Sequence, residues 1–217
     1  MDSHGNSKGA QMTVVIAVRG GADAKSRLRP VLGKAGCSAL VGAMLGDMVA
    51  ALQSSATVGR IIVVTPTPEL ANGLGVEILA DPQQGGINAA FAHANRIISG
   101  PALHLPGDLP ELDAASIDAL VSRFRPGAVV LVPSITDGGT GALLVDAAGV
   151  EMFAFGPDSL ERHCAAARAL SLVPAIVENV ALTHDLDRPE QLARAAQFGG
   201  PRTRALLAEL LPERQAA

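Results

Sequence analysis

Short apolar runs rich in β-branched residues, Thr13 to Val18, Arg60 to Thr65, Val76 to Ala80, Ala102 to Leu105 and Ala128 to Val132, alternate with stretches whose apolar residues recur at helical spacing. The helical stretches are Lys34 to Ala51, Ile87 to Ile98 and Ala114 to Phe124. Strands joined through helices run parallel and are buried on both faces. The order therefore predicts a three-layer α/β domain, with a mostly parallel sheet between helices. After Val132 the rhythm changes to a turn-rich SITDGGTG, a run Ala142 to Val145, EMFAF, a helix from about Asp158 to Leu170, a run Val173 to Val177 and a strand Val180 to Thr183. These predict antiparallel additions to the same sheet, because no Ser/Pro/Gly linker separates the halves. Two helices, Pro189 to Gln197 and Arg202 to Leu211, close a single domain over 12–217. The polar MDSHGNSKGAQ, residues 1–11, reads as a disordered tail.

Composition narrows the function classes. At 217 residues and 48% hydrophobic, the chain can bury a full core, roughly 70% of its unfolded surface. The net charge of -4 argues against a nucleic-acid binder, which needs a concentrated basic surface. Tyr and Trp are absent and Phe occurs five times, so aromatic platforms for base stacking are almost lacking. Cys37 and Cys164 make neither a disulfide framework nor a zinc motif, which points to a reducing cytoplasmic setting. No run approaches the ~20 apolar residues of a membrane span. An Ala-rich surface helix leaves a homodimer open.

The loops at the strand ends carry the chemistry. RGGADAKSRLRP follows the first strand, and its glycines with Lys25, Arg27 and Arg29 form a plausible cradle for a polyphosphate. It misses the Walker pattern, because Arg19 and Ala24 stand at the glycine positions, and no GxGxxG is present. Only three lysines occur, Lys8, Lys25 and Lys34, and Lys8 lies in the tail. Asp108, in HLPGDLPEL just past a strand, sits where open α/β sheets bind ligands and could hold a divalent cation; taken alone it reads more readily as a turn aspartate between two prolines. In THDLDRPEQL, Asp185 and Asp187 are two apart, which in an extended segment places both carboxylates on one side; helix capping accounts for one of them. Gly85 and Gly86 precede a helix and allow a base or phosphate close to the backbone. In FGPDSLERH, Asp158 and Glu161 have capping-box spacing, and the amides after Gly156 with the Ser159 hydroxyl make an anion site at a helix start. SITDGGTG, with Asp137 and Thr140, reads as a hairpin turn or as a polar wall of the cleft. His163 beside Cys164 is discounted as a pair, since adjacent helical residues point apart.

Taken in order, AKSRL, GGINAA, GDLP, PSITDGGTGALL, FGPDSLERH and HDLDRPEQL resemble the guanylyltransferases of deazaflavin coenzyme (coenzyme F-420) biosynthesis, over about residues 13–190. The resemblance implies a Rossmann-like, GT-A-like nucleotidyltransferase fold, similar to that of molybdenum-cofactor guanylyltransferases. It implies Mg2+-dependent transfer of GMP from GTP to a small phosphorylated three-carbon acid (2-phospho-L-lactate, phosphoenolpyruvate or 3-phosphoglycerate), with pyrophosphate leaving. By the same resemblance, Lys25 and Arg27 meet the triphosphate and act with Asp108 in catalysis. Gly85, Gly86 and Asn88 form the nucleotide subsite, Asp108, Asp185 and Asp187 hold the metal, and Thr140, Gly156 and Ser159 orient the acid. Two positions depart from the family's usual pattern: Arg19 replaces a lysine, and Gly141 an asparagine. The rival readings are a nucleotidyltransferase for molybdopterin or a sugar phosphate, and a catalytically silent nucleotide-binding regulatory domain.

Overall fold

The computed structural model describes residues 11–20, 24–81, 85–146 and 150–211. Of the tail expected over 1–11, only Gln11 falls within them, and it is exposed. Seven strands, β1 (Met12–Ala17), β2 (Val58–Thr65), β3 (Glu77–Ala80), β4 (Pro101–Pro106), β5 (Ala128–Pro133), β6 (Thr140–Asp146) and β7 (Val173–Ile176), form one sheet in the order β3-β2-β1-β4-β6-β5-β7. Four of the six pairings are parallel, and β6 runs antiparallel to both neighbours. The mostly parallel mixed sheet read from the alternation is therefore observed.

Side-chain alternation sets the layers. Val14 and Ile16 of β1 face α1 (Arg29–Ser54) and α3 (Ala114–Val121), packing on Val41, Leu45, Ile117 and Leu120. Val15 and Ala17 face α2 (Ile87–Asn95) and α4 (Ser159–Ala169), packing on Phe91, Ala94 and Cys164. α5 (Leu192–Phe198) and α6 (Pro201–Leu210) close over the outer side of α1 around Leu40, Met44 and Leu207.

Four expectations need correction. α1 begins at Arg29, five residues before Lys34, so the end of the basic loop is already helical; Pro30 suits a first turn, and Gly33 (φ 68°) absorbs the kink that follows. The segment expected as strand Val180 to Thr183 is a 3-10 turn over Val180–Leu182. The ladder to β5 ends at Val177, whose N–H donates to Leu131 O, and beyond it the Thr183 hydroxyl takes the Pro133 carbonyl, leaving no strand edge to pair with. Asp158 makes no side-chain cap on α4; it sits in the left-handed region (φ 53°) and its N–H donates to Asp137 O. Finally, the stretch Ser26–Ser54 is long and apolar enough by composition to cross a membrane. Its apolar side chains are the core of this fold, which accounts for that composition.

Candidate active site

The chain runs β1, β2, β3 toward one edge of the sheet and returns to place β4 on the other side of β1. At such a reversal the loops after the two central strands diverge and leave a crevice above their carboxyl ends. A cleft of about 380 Å3 lies there, bounded by Val18 and Arg19 after β1 and by Gly107 and Asp108 after β4. Gly107 makes the sharp exit possible. Its N–H donates to Ala17 O at 2.9 Å, and a Cβ would stand 2.6 Å from Val18 Cβ. The turn delivers Asp108 to the cleft floor.

Lys25 reaches the same floor from the basic loop. Its backbone is left-handed (φ 52°, ψ 41°), a conformation that costs an L-residue about 1 to 2 kcal/mol and persists only where the surroundings hold it. Its carbonyl accepts from Leu28 N–H at 2.9 Å and from Cys37 Sγ at 3.5 Å. The ammonium bridges two carboxylates, at 2.8 Å from Asp108 Oδ2 and 2.6 Å from Asp187 Oδ1. Burial alone would lower its pKa; the charges and hydrogen bonds of Asp108 and Asp187 outweigh that and hold it above the ordinary lysine value.

The segment bearing Asp185 and Asp187 is tied down from three sides. Leu186 N–H donates to Asp108 O at 3.0 Å. Gln191 Oε1 accepts the N–H groups of Asp187 and Arg188, both at 2.7 Å. Gln191 Nε2 donates to Thr136 Oγ1 at 3.3 Å, and that hydroxyl donates to Asp185 Oδ1 at 2.5 Å. The two aspartates therefore have different partners. Burial raises the Asp185 pKa, opposed by the Thr136 bond and reinforced by the charges of Asp108 and Asp187.

The structure thus brings Lys25, Asp108 and Asp187 into direct contact, with Asp185 close enough to feel both other carboxylates. Gly86 also lines the cleft. Arg27 does not: it is exposed on a 3-10 turn over Ser26–Leu28. Neither Gly85 nor Asn88 borders the cavity. Both ends of the Asn88 amide are committed to Phe155, whose O it meets at 3.1 Å and whose N–H it accepts at 2.7 Å. Sequence reasoning missed Asp81, buried on the cleft wall just past β3, although the strand-end rule applied to Asp108 would have found it. Thr136 and Gln191 carried no such signal, because they act through loop closure.

The remaining predicted residues form a second cluster. Thr140 begins β6 and Ser159 begins α4; both are buried, and Ser159 Oγ donates to Thr140 Oγ1 at 3.1 Å. His163, four residues after Ser159 and so on the same helix face, places Nδ1 2.8 Å from Thr140 Oγ1. That spacing is the signal that could have singled it out. Its Nε2 accepts from Ala154 N–H at 2.9 Å, and burial with the Arg162 charge lowers its pKa to about 4. Gly156 (φ 132°) sits at the turn before α4, where its carbonyl accepts the Ser159 N–H.

Among the described residues no group of three or more His, Cys, Asp or Glu side chains stands ready as a metal cage. The Lys25 ammonium fills the space between Asp108 and Asp187, a place suited to positive charge. Asp108 Oδ1 is buried without any hydrogen-bond partner. An oxygen-only donor set with one uncompensated carboxylate oxygen fits a hard divalent cation.

A family model described as "Guanylyl transferase CofC like" matches residues 12–209. The chain belongs to the CofC-like guanylyl transferase family. A 3-phospho-D-glycerate guanylyltransferase from Phenylobacterium zucineum (strain HLK1) is 42% identical over 207 residues, covering 90% of this chain and 95% of that protein. A phosphoenolpyruvate guanylyltransferase from Rubrobacter xylanophilus (strain DSM 9941 / JCM 11954 / NBRC 16129 / PRD-1) is 37% identical over 195 residues, 86% and 94% of the two chains. Among solved structures, a nucleotidyl transferase from Methanothermobacter thermautotroptrophicus superposes with TM-score 0.63 at 18% identity, covering 86% of this chain and 96% of that one. A CMP:2-keto-3-deoxy-manno-octonic acid synthetase complexed with CTP gives TM-score 0.59 at 15% identity, covering 93% and 100%. At such identities the likeness concerns the fold, and this member of the CofC-like family has the α/β nucleotidyltransferase fold.

Proposed function

We propose that this guanylyl transferase moves GMP from GTP to the phosphate of a three-carbon acid, releasing pyrophosphate, in deazaflavin coenzyme biosynthesis, and that 3-phospho-D-glycerate is its preferred acceptor. A relative named for that acid is 42% identical, whereas several relatives named for phosphoenolpyruvate are 33% to 38% identical. The observation that carries the reading is the Lys25 ammonium between Asp108 and Asp187 at the floor of the crevice. Joining two phosphates brings an anionic oxygen to an anionic phosphorus, so the barrier is largely electrostatic and positional.

Asp108, Asp185 and Asp187 would hold a magnesium ion, which when bound supplies countercharge to the phosphates. Lys25 balances the pyrophosphate as it departs; Arg27, exposed and outside the cleft lining, takes no part in this reading. Gly86 lets the nucleotide approach the start of α2 without a Cβ in the way, and Asn88 braces that start through its clamp on Phe155. The orienting of the acid is assigned to Thr140, Gly156 and Ser159, which form a cluster of their own and do not border the cleft cavity in this structure. The cytoplasmic setting belongs to the same proposal, supported by Cys37 and Cys164, which are both free and buried.

The test incubates purified protein with GTP, Mg2+ and a panel of 3-phosphoglycerate, phosphoenolpyruvate, 2-phospho-L-lactate, a sugar phosphate and molybdopterin, read by mass spectrometry of the adduct. A guanylylated three-carbon acid is expected. Adducts with the sugar phosphate or molybdopterin alone, or GTP binding with no turnover on any acceptor, refute the proposal.

A further inference from the structure

His163 is fully buried, has a partner on each ring nitrogen, and takes no part in the reaction as described above. Its two contacts are not equivalent. The Ala154 N–H, 2.9 Å from Nε2, can only donate, so Nε2 is the unprotonated nitrogen. The ring is neutral near pH 7, and its single proton therefore sits on Nδ1 and is donated to Thr140 Oγ1. Ser159 Oγ donates to the same oxygen. A hydroxyl has two lone pairs and one proton, and with both lone pairs of Thr140 taken, its proton is what remains. No oxygen among the described residues accepts it.

The donor that fixes the tautomer is itself held in place. Ala154 O accepts from Arg162 Nη2 at 3.0 Å, and the next residue, Phe155, is clamped on both backbone groups by Asn88 at the start of α2. The ring orientation is thus tied to the helix that begins at Gly86 on the cleft.

We infer that His163 is a positioning residue for the acceptor: by keeping its proton on Nδ1 it fills a Thr140 lone pair and makes the Thr140 hydroxyl an obligate donor toward an anionic oxygen of the acid. The inference rests on the reading of Thr140 and Ser159 as the acceptor wall. A carboxylate or phosphate oxygen satisfies such a donor, and an ammonium or amide N–H in its place leaves two donors opposed.

The experiment has two parts. Nitrogen-15 NMR of the wild-type imidazole reads the tautomer directly: a protonated Nδ1 and a bare Nε2 are expected for His163, and the reverse assignment overturns the proposal. Kinetics then compare His163→Phe, which keeps the ring volume and loses both nitrogens, with His163→Asn, whose amide N–H stands near the Nδ1 position. The Phe variant should raise the acceptor KM about tenfold with the GTP KM within about twofold, and Asn should recover much of the loss. Equal rises in both KM values, or no recovery by Asn, overturn it. Thr140→Val separates the two levels and does not depend on the His163 variants folding. If it leaves the acceptor KM unchanged, the acceptor-wall reading fails and this proposal with it. If it raises that KM while a folded His163→Phe does not, only the role of His163 is lost.

Discussion

Replacing Lys25 by Met keeps the aliphatic stem and the left-handed backbone and removes only the ammonium. At an effective dielectric near 20, contacts at 2.8 and 2.6 Å are each worth roughly 6 kcal/mol before desolvation. Most of that offsets the removal of the lysine, 10% exposed at its side chain, from water. Breaking a buried pair costs about 3 to 5 kcal/mol because a charge is left behind, and the 39% exposure of Asp187 screens part of it. The expected loss is about 3 kcal/mol in chelator, or roughly 6 to 12 °C in Tm for a chain of this size. Mg2+ should stabilise the two proteins unequally. In the variant the cation meets unpaired carboxylates, and at a hundredfold excess over its Kd it stabilises by about 2.7 kcal/mol, restoring most of the loss. In the wild type it must first displace the ammonium, so its effect is smaller. Differential scanning fluorimetry in EDTA and across a Mg2+ titration measures both. Equal Tm values in EDTA, or equal Mg2+ shifts in the two proteins, would refute the assignment of Lys25 to a cation seat.

Gln191→Leu should raise the Mg2+ concentration needed for half-maximal pyrophosphate release about tenfold with GTP KM little changed, because the bonds that orient the Asp187 backbone and Thr136 are lost; an unchanged Mg2+ requirement counts against it. Gly141→Ala would drive a Cβ into the Leu182 carbonyl and should destabilise by about 1 to 3 kcal/mol, whereas Gly42→Ala, open on α1, should stabilise by about 0.5 to 1 kcal/mol, both read by urea unfolding. His104 is buried against Phe91 and Phe153, and burial lowers its pKa to about 3, outweighing the backbone groups of Leu143 and Ala102, which raise it. The unfolded chain therefore takes up this proton first, so its contribution is fully present above about pH 6.5 and is lost as pH falls toward 3, at about 1.4 kcal/mol per pH unit. His104→Leu should flatten the pH dependence of unfolding free energy between pH 6 and 4 by one proton's slope; a parallel curve would contradict it.

The alternation of strand and helix was legible in the chain itself, because a 2-residue and a 3.6-residue apolar period are written locally and a parallel sheet follows from their order. The hairpin at SITDGGTG and the placing of Asp108 at a strand end were legible for the same reason. Where elements stop was less so. Val180 to Leu182 has the composition of a strand, yet it lies past the point where β5 offers a partner, and pairing is a property of the neighbour. The site divides along the same line. Residue type and strand-end position picked out Lys25, Asp108 and Asp187 as charges suited to phosphate and metal chemistry. Only the tertiary fold put one ammonium between two carboxylates separated from it by 83 and 162 residues, turned Arg27 outward, and gave Asn88 to Phe155. It also added Asp81, Thr136, Gln191 and His163, whose roles depend on what their side chains meet across the chain. Periodicity records which face is apolar; the partner of a polar atom is decided by which segments the core brings together.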